Sequence, residues 1–432
     1  MPVLPKPPLP PCGGFSGIRM RRLEALHRRL STKGPRGGLQ RVLLFALLPF
    51  GWSFGWLSRF RAWLYRREIL PSFRAPVPVL SVGNLAVGGT GKTPVVDFLV
   101  KRFLAAGKQV AVVSRGYGGS GTEGVGVVSA GQGPLLSPRV CGDEPFLLAR
   151  RNPLALVFIA PRRAEGIRLA VEKYGAEIIV LDDGFQHLAV RRDLDIVLLD
   201  ASRPLGNGHV LPAGILREFP AALGRGDLFL LTRCGDREGF LPPVPGPVLR
   251  SRHVLSGQAV SLSGEVVALE DLSAKRGVAF AGIADPGKFF ASLENAGLNL
   301  LHSLGFSDHC GYLGEDLARL IEGAKGADYL VTTEKDGVKL PSGELPVPCY
   351  QVPMDLVVQD EAVMERALNP FLREGVEMAI SEKLLELLAC PKCKGEVHLR
   401  KEKNRIVCEE CRLLYPIRDD IPVMLIDEAE SF

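Results

Sequence analysis

Short runs of Val, Ile, Leu and Ala that stay apolar at successive positions recur between Pro76 and Arg233. They fall at Val77–Val82, Gln109–Ser114, Ala155–Ala160, Glu177–Leu181, Asp195–Leu199 and Asp227–Leu231. A strand with one wet face alternates, whereas one apolar at every position is covered on both sides. With helical stretches between them, these runs predict a doubly wound parallel α/β sheet over 76–233, with ligands at the carboxyl ends of its strands. A second, smaller α/β domain over 276–375 follows from strands at Val278–Ala281, Tyr329–Thr332 and Tyr350–Val352 and helices at Gly287–Ala296 and Glu315–Glu322. Between the two, 234–275 is richer in Pro, Gly and charge and reads as a hinge.

The N-terminal part has a different pattern. Residues 1–38 are rich in Pro, Gly and Arg without apolar period, as expected of a disordered arm. Within 39–75, no charge interrupts Val42–Ser58, VLLFALLPFGWSFGWLS. A spanning helix needs about 20 apolar residues, and this run is shorter and carries Pro49, Gly51 and Gly55 as breaks. A signal peptide would need a small-residue cleavage site where RFRAWLYRREIL stands. A buried core helix is a further alternative. The favoured reading is an interfacial segment, with Trp52, Trp56, Trp63 and Tyr65 among arginines at headgroup level. Charge supports it: residues 1–75 carry fourteen Lys/Arg against two Glu, so a segment of +12 precedes a body of −7. Such an arm suits an anionic surface, membrane or nucleic acid.

The stretch Val79–Pro94, VLSVGNLAVGGTGKTP, joins an apolar strand to a glycine-rich turn and a helix. That is the context of a P-loop: Ala86, Val87, Gly88, Gly89, Thr90 and Gly91 surround phosphates with backbone N–H groups. Lys92 reaches the β/γ-phosphates and Thr93 offers a hydroxyl to Mg²⁺. The match to G-x-x-x-x-G-K-[ST] has Ala86 in place of the first glycine, with Gly83 three residues earlier. ATP and Mg²⁺ are the cofactors this predicts.

EIIVLDDGFQH (Glu177–His187) is a buried strand ending in two carboxylates. After a P-loop this is where an Asp holds Mg²⁺, leaving Asp182 and Asp183 as alternatives. CGDEPFLLAR places Asp143 and Glu144 at a helix start, and FSDHCGY places Asp308 and His309 in a loop of the second unit. Should the two loops face each other, a carboxylate–imidazole pair would be able to take a proton from an acceptor hydroxyl. Asn84, Arg115, Glu144, His187 and Arg217 are candidates for substrate contact, Arg115 and Arg217 because guanidinium forks onto phosphate oxygens. TTEKD (Thr332–Asp336) ends a strand with mixed charge and fits a structural or a functional role equally.

Nine cysteines divide into scattered thiols and a C-terminal set over 381–432. Cys390, Cys393, Cys408 and Cys411 form two C-x-x-C pairs around a fourteen-residue spacer, the ligand spacing of one structural Zn²⁺. Such a closed site predicts fold stabilisation and an unknown protein partner.

VGNLAVGGTGKTP, SRGYGG, GDEP, LDDGFQH, RDLDIVLLD, LPAGILRE, AFAGI, FSDH and TTEKD occur in one order. The series resembles the tetraacyldisaccharide 4′-kinase (lipid A 4′-kinase) family from about Leu43 to Phe371. The tail resembles the small zinc ribbons related to methyltransferase-activating subunits. The first resemblance implies a P-loop NTPase-like fold with a membrane-associated helix. It further implies ATP-dependent phosphorylation of a lipid A disaccharide precursor at the cytoplasmic face of a bacterial inner membrane. It also implies Asp143 as base with His309 as its partner. Where the family has Asp-Arg, this chain has Arg162-Arg163, which leaves the role of Arg163 open. Two rivals are an ATPase switch of the partitioning type, which lacks its signature lysine at Val87, and a nucleic-acid-binding zinc-ribbon protein, disfavoured by the acidic body.

Overall fold

The computed structural model describes residues 34–35, 37–116, 119–120, 124–234, 239–283, 285–308, 310–340, 343–372, 388–400, 405–418 and 421–432. Most of the expected arm, and His309, lie outside them. Contacts divide the chain into two units, Met1–Asn369 and Pro370–Phe432.

In the first unit, strands β1 (Val79–Asn84), β2 (Val110–Ser114), β3 (Gly126–Ala130), β4 (Leu156–Ile159), β5 (Ile178–Asp182), β6 (Leu194–Asp200), β7 (Leu228–Thr232), β8 (Val248–Leu255) and a late strand, Met354–Val358, form one sheet. Its order is Met354–Val358, β8, β7, β6, β1, β5, β2, β4, β3. The seven inner strands run parallel and the two outermost antiparallel. All six residues of β1 are buried. β1 also stands at the switch point, because the chain leaves it toward β5 and returns on the β6 side, which opens a crevice at its carboxyl end. Helices α1 (Gly38–Arg66), α2 (Lys92–Ala105), α3 (Asp143–Arg151) and α4 (Arg163–Tyr174) belong to this lobe.

The second lobe is a six-stranded sheet. It uses β9 (Gln258–Ser261), β10 (Val266–Ala268), β11 (Arg276–Ala281), β12 (Asn299–Gly305), β13 (Tyr329–Thr333) and β14 (Cys349–Val352) in the order β10-β9-β14-β13-β11-β12. Helices α5 (Pro286–Asn295) and α6 (Glu315–Gly323) connect its strands. Ala279, Phe289, Leu293, Tyr329 and Val352 share its core. Two expectations about boundaries need correction. The segment 234–275 carries three strands, β8–β10, and the chain after β14 returns to the first sheet, where β15 (Met354–Val358) pairs with β8. VLRSRHVL in β8 alternates between buried and exposed positions, so it lacks the continuous apolar run of the inner strands. Helix α7 (Glu361–Leu372) closes the unit through ion pairs from Arg102 to Glu361 and Glu365.

Helix α1 runs unbroken through Pro49, Gly51 and Gly55, contrary to the expected breaks. Gly51, Gly55 and Ala62 are its buried residues. A Cβ at Gly51 would stand 2.9 Å from the Val210 carbonyl, and one at Gly55 would sit 2.5 Å from the Phe219 ring. The glycines therefore let the helix lie directly on the body, and this packing outweighs their low helix propensity. Leu39, Phe45, Phe50, Trp52, Trp56 and Leu57 remain exposed. By length and composition the helix is able to cross a membrane, but only by those criteria.

In the second unit, β16 (His398–Arg400), β17 (Arg405–Cys408), β18 (Leu413–Arg418), β19 (Ile421–Pro422) and β20 (Glu430–Ser431) form an antiparallel sheet. Cys390, Val397, Ile406, Cys408, Tyr415 and Ile417 make its small core.

Candidate active site and metal centre

A cavity of about 1120 Å³ opens at the carboxyl end of β1. Its walls include the loop Val87–Pro94, Arg115, Glu144, Asp182, Asp183, Gln186 and Arg217 from the first lobe. The second lobe adds Asp285, Lys288, Asp308 and Lys335, and helix α1 adds Phe54, Ser58 and Arg61. Nucleotide loop, carboxylates and apolar helix thus face one space.

The loop itself is anchored at its start. Val87 N–H donates to the Ile215 carbonyl at 2.8 Å and Arg217 N–H to the Leu85 carbonyl at 2.8 Å. Ala86 is buried between them, and its carbonyl accepts from Asn84 Nδ2 at 2.6 Å. The backbone N–H of Val87 is therefore committed to Ile215, and of the expected loop Gly88–Thr93 remains along the cavity wall. Asn84, expected at the substrate, is fully buried; its Oδ1 accepts from Lys92 Nζ at 3.4 Å and its carbonyl from Gln186 Nε2 at 2.9 Å. It holds the loop and the lysine in place. Gly91 takes φ +82°, and a Cβ there would meet the His253 imidazole at 3.0 Å. Only glycine suits both constraints. Lys92 opens α2 directly after it.

The two adjacent aspartates are separated by their surroundings. Asp183, at φ +53°, receives both carboxylate bonds from Arg217 Nη1 at 2.9 and 3.0 Å and stands 3.6 Å from Lys92 Nζ. Burial raises its pKa, but Lys92 and Arg217 outweigh that and hold it below the ordinary carboxylate range. Asp182 is 2% exposed; its Oδ2 accepts from Ser114 Oγ at 3.4 Å and its Oδ1 has no hydrogen-bond partner among the described residues. Burial first, then the Glu144 charge, pushes its pKa up to about 7. A buried carboxylate oxygen without a donor, beside Thr93 in the same cavity, fits a divalent cation. Arg163, whose role was open, is buried and donates to the carbonyls of Ala160 and Asp182, at 3.0 and 3.4 Å, bracing this strand end. His187 is half-buried and kept neutral, its pKa lowered to about 4 by burial and then by Arg163, Arg61, Arg192 and Arg115.

One lysine spans the loops carrying Glu144 and Asp308. Lys335 lies 3.8 Å from Glu144 Oε1 and 3.5 Å from Asp308 Oδ1, while Lys339 lies 3.7 Å from Asp143 Oδ2. Glu144 lines the cavity. Both lysines, together with His253 and Lys288, were missed from sequence, although TTEKD marked the segment that carries Lys335.

In the second unit the Sγ atoms of Cys390, Cys393, Cys408 and Cys411 all lie within 4.8 Å of one another. Thiolates bound tetrahedrally at about 2.3 Å from Zn²⁺ stand about 3.8 Å apart, so the set fits that ion. Lys394 and Arg412, each following the second cysteine of its pair, both take left-handed φ, +61° and +51°. The two C-x-x-C turns therefore share a left-handed residue at the same position. Tyr415 Oη lies 3.2 Å from Cys390 Sγ and supports the ligand set from behind.

A family model described as tetraacyldisaccharide-1-P 4′-kinase matches residues 43–373. This chain belongs to that family. As a member of the tetraacyldisaccharide-1-P 4′-kinase family it is a phosphotransferase. The tetraacyldisaccharide 4′-kinase of Syntrophotalea carbinolica is 53% identical over 353 residues, covering 82% of this chain and 99% of the relative. That of Geobacter sulfurreducens is 44% identical over 349 residues, covering 80% and 98%. Among solved structures, LpxK from Aquifex aeolicus in complex with ATP superposes with a TM-score of 0.65 at 32% identity, covering 76% of this chain and 99% of that one. Residues 381–420 match a second model, Trm112p-like protein, which agrees with the zinc-ribbon reading of the tail.

Proposed function

We propose that this protein transfers the γ-phosphoryl group of ATP to the 4′-hydroxyl of a tetraacyl disaccharide 1-phosphate, a lipid A precursor, at the cytoplasmic face of the inner membrane. The observation that carries this reading is the shared cavity, in which the nucleotide loop, a cross-lobe set of carboxylates and an apolar helix face one space. Backbone N–H groups of Gly88–Thr93 surround the phosphates, with Lys92 set by Asn84 and Asp183 to neutralise charge that builds during transfer. Thr93 and Asp182 would hold Mg²⁺, with Asp183 as the alternative ligand, and the ion would supply positive charge to the transferring phosphate. Arg217 keeps Asp183 ionised and in place, and Arg115 is available to acceptor phosphate. Asp143 takes the proton of the sugar hydroxyl, with His309 as its partner. Phe54 and Ser58 guide an acyl-bearing sugar from the lipid surface into the cavity, while the exposed tryptophans of α1 and the neighbouring arginines hold the body there. The four cysteines hold a structural Zn²⁺, which stabilises the tail and presents it to a protein partner.

Glu144 lines the cavity, which favours it as a second candidate for the proton acceptor. The deciding experiment is transfer of radiolabelled phosphate from ATP to disaccharide-1-phosphate lipid in detergent micelles. Asp143→Asn and Glu144→Gln are then compared: the base variant loses about 10²–10⁴-fold in kcat. Absence of transfer by the wild-type protein refutes the activity, and an unimpaired Asp143→Asn refutes that base.

A further inference from the structure

The segment Glu334–Lys339, at the carboxyl end of β13, reaches across to both ends of helix α3. At the helix start, Lys339 has only 8% of its side chain exposed and lies between two carboxylates, Asp336 Oδ1 at 3.1 Å and Asp143 Oδ2 at 3.7 Å. Asp336 belongs to the second lobe and is fully buried, with its Oδ2 accepting from Gly282 N–H at 3.0 Å and Thr333 Oγ1 at 2.7 Å. The ammonium also sits 5.7 Å from the centre of the Tyr312 ring. A cation this buried persists only between anions, and here each lobe supplies one. Lys335 repeats the pattern at the cavity wall, between Glu144 of the first lobe and Asp308 of the second. At the other end of α3, Arg151 Nε meets Glu334 Oε2 at 3.2 Å while its Nη1 donates to Asp97 Oδ2 of helix α2 at 2.8 Å. The segment is thereby tied to the helix that begins with Lys92.

We propose that Lys335 and Lys339 are positioning residues for phosphoryl transfer. Delivered by the second lobe, they fix the Asp143–Glu144 carboxylates relative to the nucleotide loop, so that the proton acceptor is in place only when the lobes are joined. The inference rests on the function proposed above and adds to it two residues that act through the carboxylates they pair with.

The test measures kcat and KM for ATP and for the lipid acceptor in the full chain, with Lys339→Met, Lys339→Arg, Lys335→Met, Asp143→Asn and the double variant Asp143→Asn/Lys339→Met. Misplacement of a reacting group costs up to about 100-fold, so Lys339→Met is expected to lower kcat by about 10- to 100-fold. The ATP KM stays within about twofold, and Lys339→Arg restores most of the rate. If the lysine acts through Asp143, the double variant is no slower than Asp143→Asn alone. Wild-type kcat in Lys339→Met, or fully multiplicative losses in the double variant, overturns the proposal. Should Lys339→Met fail to fold, Lys335→Met, paired in the same way with Glu144→Gln, decides it by the same criteria. An Asp143→Asn variant with wild-type kcat overturns instead the base assignment of the preceding section.

Discussion

Asp182→Asn is expected to stabilise the nucleotide-free protein at pH 8 while abolishing phosphoryl transfer. The carboxyl is 2% exposed, one of its oxygens has no donor among the described residues, and its pKa stands near 7 against an ordinary 3.8. The folded state therefore binds this proton more tightly than the unfolded chain does. Stability is untouched below about pH 4, declines as pH rises from about 4 to about 7, and stays lower above that. At about 1.4 kcal/mol per pH unit the full cost is on the order of 4 kcal/mol. Relaxation of Glu144 and Lys92 around the charge reduces it, and about 2 kcal/mol is the working figure. Asn keeps an acceptor for Ser114 Oγ and carries no charge. In a unit of this size about 2 kcal/mol moves Tm by about 2–3 °C. The assay is thermal unfolding of both proteins at pH 5 and pH 8 in magnesium-free buffer without chelator, so that metal held by the C-terminal cysteines is retained. The variant should melt higher at pH 8 and by a smaller margin at pH 5, where only about a third of the cost has been incurred. Magnesium with ATP should then raise the wild-type Tm alone. A variant that melts level with or below the wild type at pH 8, with the same difference at pH 5, refutes the argument that burial of this charge is stored for a cation.

Gly55→Leu places a side chain where a Cβ already meets the Phe219 ring at 2.5 Å. Overpacking of about 1–3 kcal/mol should lift α1 from the body, raising KM for the micellar acceptor at least about tenfold with the ATP KM unchanged; an unaltered acceptor KM removes α1 from the acceptor path. Arg217→Ala leaves Asp183 without the guanidinium nitrogen that bonds both its oxygens, and kcat should fall by about 100-fold, checked by single-turnover transfer with both substrates saturating. Cys390→Ser should reduce bound zinc from about one per chain to well below that, measured by metal analysis, with transfer activity within about twofold of wild type because the cysteines belong to the separate second unit.

How far the sequence carries depends on the range of the interaction concerned. The nucleotide loop was legible because its parts are contiguous: strand, glycines, Lys92 and helix are each recognisable from neighbours in sequence. The cysteine pairs were legible for the same reason, since donor type and spacing mark a four-thiolate metal site. Gly51 and Gly55 misled because propensity treats glycine as a helix breaker, while here the absent side chains form the contact face against Val210 and Phe219. β8 and β15 were hidden because an alternating strand beside an antiparallel outermost strand has no continuous apolar run. Lys335 and Lys339 were hidden for a deeper reason. A lysine after a strand is ordinary by composition, and it gains meaning only when the sheet order of one lobe brings it to a carboxylate of the other. The candidate site is therefore legible in proportion to how local its chemistry is. The parts of the nucleotide loop are neighbours in sequence, whereas Asp143 and Glu144 and the lysines paired with them come from lobes that meet only on folding. On the function proposed here, that division would let the nucleotide end form locally, while the acceptor end would be complete only once the second lobe presents Lys335 and Lys339.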